Sequence, residues 1–269
     1  YNGNIANTYG GAIYNRGFNT IMNFTDSLFI ENFASSGGAL VGSDIVINSF
    51  INCNFTMNSA SQEGGAIYYI DSAQAFFSHV DLQRNISPRG GAITAAVDSR
   101  IHMEHSICSN HDATDYGGCL FASDRSFVNM IQTEISYNAV TNNGGGIYLE
   151  GASILNSTQA YYLHNYAAFA GGALHSTAQS NVNINNDFYY RNHAYKGGAI
   201  SSIGYAYFIG TNSTIFQENW VNASQICSGK DGYGGAVYYH DHHQQTTVLK
   251  DKASVLIIFK ENIAQTAGG

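Results

Sequence analysis

The chain has 269 residues, a net charge of −8 and only 11% Asp, Glu, Lys and Arg. It has no basic run with which to hold a phosphate backbone, so nucleic acid is excluded as a partner. The 44% hydrophobic content is spread evenly, and the longest apolar run, Val255 to Phe259, is too short to cross a membrane.

A single proline, Pro88, stands against 29 glycines. Scarce proline suits a backbone whose N–H groups are nearly all needed as ladder donors. The glycines are positional. Gly10-Gly11-Ala12-Ile13 returns as Gly37-Gly38-Ala39-Leu40, Gly64-Gly65-Ala66-Ile67 and Gly90-Gly91-Ala92-Ile93. It continues at Gly117, Gly144, Gly171, Gly197 and Gly234, and the chain stops on Gly268-Gly269. Subtracting successive first glycines gives steps of 27, 27, 26, 27, 27, 27, 26, 37 and 34. A period this tight means a solenoid.

One repeat, Gly10 to Ser36, shows the elements. Gly10 to Asn15 reads as a short strand and Arg16-Gly17 as a turn. Phe18 to Phe24 is a second strand, with Thr25-Asp26-Ser27 as a corner. Leu28 to Glu31 is a third strand that ends at Asn32, followed by a loop over residues 33–36. Strands of four to seven residues between Gly, Asp, Asn and Ser punctuation satisfy the strand rules, and no window carries helical spacing with caps. Three strands per coil, with no helices, predict an all-β, single-stranded parallel β-helix of about nine to ten coils. Each coil then stacks about 4.8 Å above the last, in a rod about 45 Å long. The right hand follows from the preference of parallel crossovers. The repeat covers residues 1–269, so one continuous domain is expected, entered in mid-repeat and cut from a longer chain. The 37-residue step places a projecting insertion at residues 220–233.

A second column runs in phase. An aromatic or aliphatic residue precedes an asparagine by three places: Phe29 and Asn32, Phe55 and Asn58, Leu82 and Asn85, Ile107 and Asn110, Ile135 and Asn138. Tyr162 and Asn165, Tyr189 and Asn192, Phe216 and Asn219 follow. An amide both donates and accepts, so asparagines stacked one strand spacing apart can bond to one another in an internal ladder. Left unsatisfied and buried, each would cost about 1–3 kcal/mol. Ile13, Leu40, Ile67, Ile93 and their successors are expected to stack into one apolar row, sharing burial between neighbouring coils.

Gly-Gly-Ala-Ile alternating with Phe-x-x-Asn resembles the repeat of the chlamydial polymorphic outer membrane proteins, over the full length. That resemblance implies a secreted β-helical passenger acting as a surface adhesin, followed by a C-terminal membrane barrel, which these residues do not contain.

Candidate sites are few. Asp44, Asp71, Asp98 and Asp124 lie seven or eight residues after each Gly-Gly, and Gly17 or Gly204 takes that place elsewhere. Asp and Gly interchanging is a turn signature. Stacked carboxylates would also repel one another, and a weakly bound cation is the alternative. His240-Asp241-His242-His243 has metal-ligand residue types, but alternation lets only His240 and His242 share a face, and a solvated turn is the plainer reading. Tyr14, Tyr68, Tyr148 and Tyr238 share an outward position with Phe121. They read as half-buried strand packing or as a sugar-stacking platform. Cys108 and Cys119 are close enough in sequence to bridge, whereas Cys227 lies several repeats away. Of six glycosylation sequons, Asn23, Asn54, Asn156, Asn212 and Asn222 are expected to be open to glycans, and Asn85 to be bare inside the ladder.

No Ser-His-Asp order, phosphate loop or Cys-His metal spacing emerges, and no cofactor is implied. The expected function is a non-enzymatic extracellular rod that spaces, adheres or builds a fibre. Its partners would be other copies or neighbouring domains of the same protein, end to end or side by side, or surface glycans. A bacterial autotransporter passenger is one alternative. A carbohydrate-active enzyme is another, and it would need carboxylates converging in a groove.

Overall fold

The computed structural model of the protein describes residues 1–204, 207–211, 213–221, 234–240 and 257–264. They form an all-β parallel solenoid. Its first sheet stacks nine strands, beginning Ile13–Arg16, Leu40–Ser43 and Ile67–Ile70. The second sheet stacks eight, beginning Ile21–Thr25, Ile47–Ile51 and Gln74–Ser78. The third again stacks nine, beginning Leu28–Ile30, Asn54–Thr56 and Asp81–Gln83. Every neighbour in each stack comes from the next coil, in register.

The apolar row stands in file: Ile13 pairs with Leu40, Leu40 with Ile67, Ile67 with Ile93 and Ile93 with Leu120. From Leu40 to Ile200 this row is fully buried. Aromatic rings stack along the axis beside it. Phe24, Phe50 and Phe77 lie 5.0 and 5.1 Å apart, and Phe29 lies on Phe55 at 4.4 Å with planes 3° apart. In the later coils Tyr162, Tyr189 and Phe216 repeat the arrangement at 4.5 and 4.7 Å. Alternation along each strand sends these side chains inward and their neighbours outward.

Most of the described coils have a short fourth strand where a loop was expected. Phe33–Ser36 pairs with Ser59–Glu63, and from Asp112–Ala113 onward a six-stranded stack continues this face. The stack is interrupted at the coil of Pro88, where only isolated bridges at Ile86 and Arg89 join the neighbours. Proline has no N–H for the ladder. Its carbonyl still accepts from the N–H groups of Asp115 and Tyr116. The expected insertion also starts later than residue 220. Trp220–Val221 is a strand of the fourth sheet, paired with His193–Ala194 and Ile263–Ala264. Residues 222–233 lie outside the described residues.

The Gly-Gly corner has two physical causes. Gly117 has φ +63°, and a Cβ there would run into the carbonyl of Leu120 in its own coil. Gly118 has ordinary φ, but a Cβ would overlap the carbonyl oxygen of Gly145 in the next coil. The first glycine makes the turn and the second permits the stacking.

Candidate functional site

Seven asparagines of the column, Asn32, Asn58, Asn85, Asn138, Asn165, Asn192 and Asn219, face inward at the third corner and are fully buried. Asn58 shows the pattern. Its Oδ1 accepts from Asn32 N at 3.0 Å and Asn32 Nδ2 at 2.8 Å. Its Nδ2 donates to Asn85 Oδ1 at 3.0 Å and to the Phe29 carbonyl at 2.9 Å. All four hydrogen-bonding positions of the amide are thereby filled. Asn165, Asn192 and Asn219 repeat it, and Asn138 does so on its donor side, with amide-to-amide distances of 2.9, 3.0 and 2.9 Å along the series. The residue before each ladder asparagine, such as Glu31 or Tyr137, turns the corner at positive φ (53° and 54°).

Asn110 is not in the ladder. Cys108, and not Ile107, pairs with Leu82 and Ile135, so the expected column is one residue out of phase at this coil. Ile107 points outward and is 40% exposed. Asn110 takes the positive-φ corner place (59°) and bonds to Ser109. His111 fills the ladder position: Asn85 N donates to its Nδ1 at 2.9 Å, and its own N donates to Asn138 Oδ1 at 3.0 Å. Complete burial drives the imidazole pKa down to about 4. The signal lay in the spacing. Asn85 to Asn110 is 25 residues and Asn110 to Asn138 is 28, whereas His111 restores 26 and 27.

The phase correction also places Cys108 inward, where it is bonded to Cys119 at the alanine position after Gly118. Cys53 is a buried free thiol, and burial raises its pKa. A second internal network escaped the sequence: Asn15 Nδ2 donates to Asn48 Oδ1 at 2.7 Å, and Asn48 Nδ2 to the Tyr69 hydroxyl at 2.8 Å. Asp187 is buried as well. Its Oδ1 accepts from Ala160 N at 2.9 Å, and burial pushes its carboxyl up to about 7.

The outer columns differ from one another. Asp44, Asp71, Asp98 and Asp124 all turn the corner at positive φ, between 52° and 67°. Arginines from adjoining coils meet two of them. Arg16 donates to Asp44 at 3.0 Å, and Arg125 grips Asp98 through two bonds of 2.9 and 2.7 Å. The Arg125 guanidinium holds the Asp98 carboxyl below its ordinary pKa. Among the described residues no three His, Cys, Asp or Glu side chains are grouped to hold a metal ion. His240 ends a strand on the surface, and Asp241, His242 and His243 lie outside the described residues.

The tyrosine row points outward yet is covered. Tyr14 is 44% exposed, but Tyr68, Phe121 and Tyr148 are buried. Tyr116, just before its own Gly-Gly, lies 4.5 Å from the Tyr148 ring, and the Arg89 guanidinium sits over Phe121 at 5.9 Å. Residues at the preceding corner thus roof this face, a long-range packing that alternation alone does not reveal.

An open concavity lies on the second sheet. A groove of about 400 Å³ is lined by Gln74, Phe76, Arg100, His102, Phe127 and Asn129. Register builds it as a lattice. Gln74, Arg100 and Phe127 form one row across three coils, and Phe76, His102 and Asn129 form the next. A 2.8 Å hydrogen bond joins Asn129 Nδ2 to His102 Nδ1, and Glu104 lies 3.8 Å from His102 Nε2. None of these residues belongs to a sequence motif. Only the 26- and 27-residue register between outward positions brings them together.

Of the sequons, Asn23 and Asn54 are exposed and Asn156 is half-buried on the second sheet, accepting from Asn183 Nδ2 at 2.8 Å. Asn85 is fully buried, with its Nδ2 donating to the Phe55 carbonyl. Asn212 and Asn222 lie outside the described residues, as does Cys227. Among the described residues no helix is long and apolar enough to cross a membrane.

Comparison with protein families, with curated proteins and with solved structures returned no match. The chain is therefore placed by its architecture alone: a parallel β-solenoid of stacked coils with an internal asparagine ladder.

Proposed function

We propose that the chain is a non-enzymatic extracellular rod with a structural or adhesive role, as part of a surface protein, fibre or appendage. The observation that carries this reading is the Cys108–Cys119 bridge enclosed in the solenoid. Such bonds persist in oxidising compartments and are rare where thiols are kept reduced. The exposed apolar side chains along the rod support a contact role. Ile21, Ile51 and Phe76 stand out on the second sheet, and Ile5, Phe33, Ile86 and Trp220 on the fourth. The partners would be neighbouring domains, further copies of the chain, or surface glycans.

Thiol blocking followed by mass spectrometry of the protein taken from intact cells of its source tests the compartment. Cys108 and Cys119 should resist alkylation until reduced, and the protein should be open to protease from outside the cell. Free thiols at both positions in a protease-shielded protein would overturn the reading. Produced in a eukaryotic secretory pathway, the chain should carry glycans at Asn23, Asn54 and Asn156. Peptide mapping should find Asn85 bare, because its amide is spent inside the ladder.

A further inference from the structure

The second-sheet groove carries an exposed arginine that no carboxylate among the described residues holds. The chain is acidic overall, and Arg16, Arg89, Arg125 and Arg191 are each held by a carboxylate. Arg84 and Arg100 have no such partner among the described residues, and of the two only Arg100 lines the groove. Its side chain is exposed in the groove, and Asp98, the carboxylate that feels its charge, is gripped by Arg125. Arg100 lies between Gln74 and Phe127 in one row and is followed by the Phe76–His102–Asn129 row. Phe76 is 44% exposed, and its ring is 5.9 Å from that of His102. With the Asn129 amide donating to His102, its carbonyl oxygen is left to accept, and Gln74 offers both a donor and an acceptor. The other charged group on this face is Glu104, beyond His102 and away from Arg100 along the same strand.

The geometry points to a binding site for an acidic saccharide, a uronate unit within a glycan chain. The carboxylate would take the Arg100 fork, which matches its planar, two-oxygen geometry. The apolar C–H face of the sugar would lie on Phe76, and its hydroxyls would reach Gln74 and Asn129. The volume of about 400 Å³ is that of a small-ligand cleft. A peptide is the poorer match. Gln74–Ser78 is paired on both sides, by Ile47–Ile51 and Arg100–Glu104, and the latter also pairs with Phe127–Ile131. No free strand edge is present here for a peptide backbone to extend.

This inference rests on the adhesive reading above and names its ligand class. The test is titration calorimetry of the whole chain against short galacturonate, glucuronate and mannuronate oligomers and their methyl esters. At least one acid should bind, with its ester at least about tenfold weaker, the loss expected when a charge-assisted pair is removed. Arg100→Gln should lose that same factor for the acid alone, and Phe76→Ala should weaken acid and ester together. Both side chains are exposed, so unchanged thermal melting checks that the variants fold. Equal affinity for acid and ester, indifference to Arg100→Gln, or silence across all the oligomers would overturn the site. Adherence of chain-coated beads to cell layers is read in parallel. Adhering beads with silent oligomers sink this site alone, whereas bound uronate with inert beads keeps the site and counts against adhesion.

Discussion

At the residue scale, buried polar groups decide how this rod responds to substitution and to pH. His111 stands where every neighbouring coil has an asparagine, and an imidazole cannot pass on the amide-to-amide bond that links Asn32 to Asn58. His111→Asn should complete the chain of amides and raise stability by about 1 kcal/mol, the typical net value of one hydrogen bond. Denaturant unfolding checks this, and a loss of stability would contradict the ladder geometry. Burial also lowers the pKa of His111 to about 4, His175 to about 3 and His193 to about 4. A base whose folded pKa is depressed stabilises the fold above its unfolded value and loses that contribution as pH falls below it. The melting temperature should therefore fall as pH drops from about 6.5 toward 4. Asp187 acts in the opposite sense. Its raised pKa favours the fold while it is protonated, and that advantage is lost as pH climbs from the unfolded carboxylate value to about 7. Asp187→Asn keeps an acceptor for Ala160 N and should stabilise the protein more at pH 8 than at pH 5 in thermal melts.

At the element scale, each short strand depends on its copy in the next coil. A four-residue strand such as Leu40–Ser43 would not persist alone, but here it pairs on both sides and buries a row shared with its neighbours. The Gly-Gly corner sets how closely coils approach. Gly118→Ala should cost more than about 2 kcal/mol, at the severe end of overpacking, because its methyl meets the rigid backbone of Gly145 and not a side chain that can move. Gly3, unlike Gly118, has a positive φ (+62°), but a Cβ there meets nothing within 4 Å, so Gly3→Ala should cost only about 1 kcal/mol of backbone strain. Comparing the two by chemical denaturation separates stacking from backbone strain. Equal costs would mean that coil contact is not what the second glycine serves.

At the scale of the whole molecule, the bridge from Cys108 to Cys119 ties the third sheet of one coil to the start of the next. Its loop is short, with a sequence separation of 11, so the constraint it places on the unfolded chain is modest. Replacing both cysteines by alanine should lower stability by about 2–3 kcal/mol, read from urea unfolding under non-reducing conditions. Since each coil rests on its neighbours, this loss should spread along the rod and shift the transition as a whole.

The sequence by itself determined the period, the stacking of like residues, the inward asparagines and the fixed positions of the paired glycines. Each is a local rule applied again every 26 or 27 residues. What it misplaced shares one cause: a phase slip or a distant cover that no local pattern records. Asn110 matched the Phe-x-x-Asn spacing, yet the chain shifts by one and buries His111. Residues 33–36 carry too few apolar side chains to announce a strand, and only pairing between coils makes them one. Tyr148 alternates outward, but Tyr116 at the corner of the preceding coil closes over it. The pairing of Asp98 with Arg125 and the assembly of Phe76, Arg100 and Asn129 into one groove were likewise decided by register between coils. That register is a tertiary quantity, fixed by burial along the whole stack.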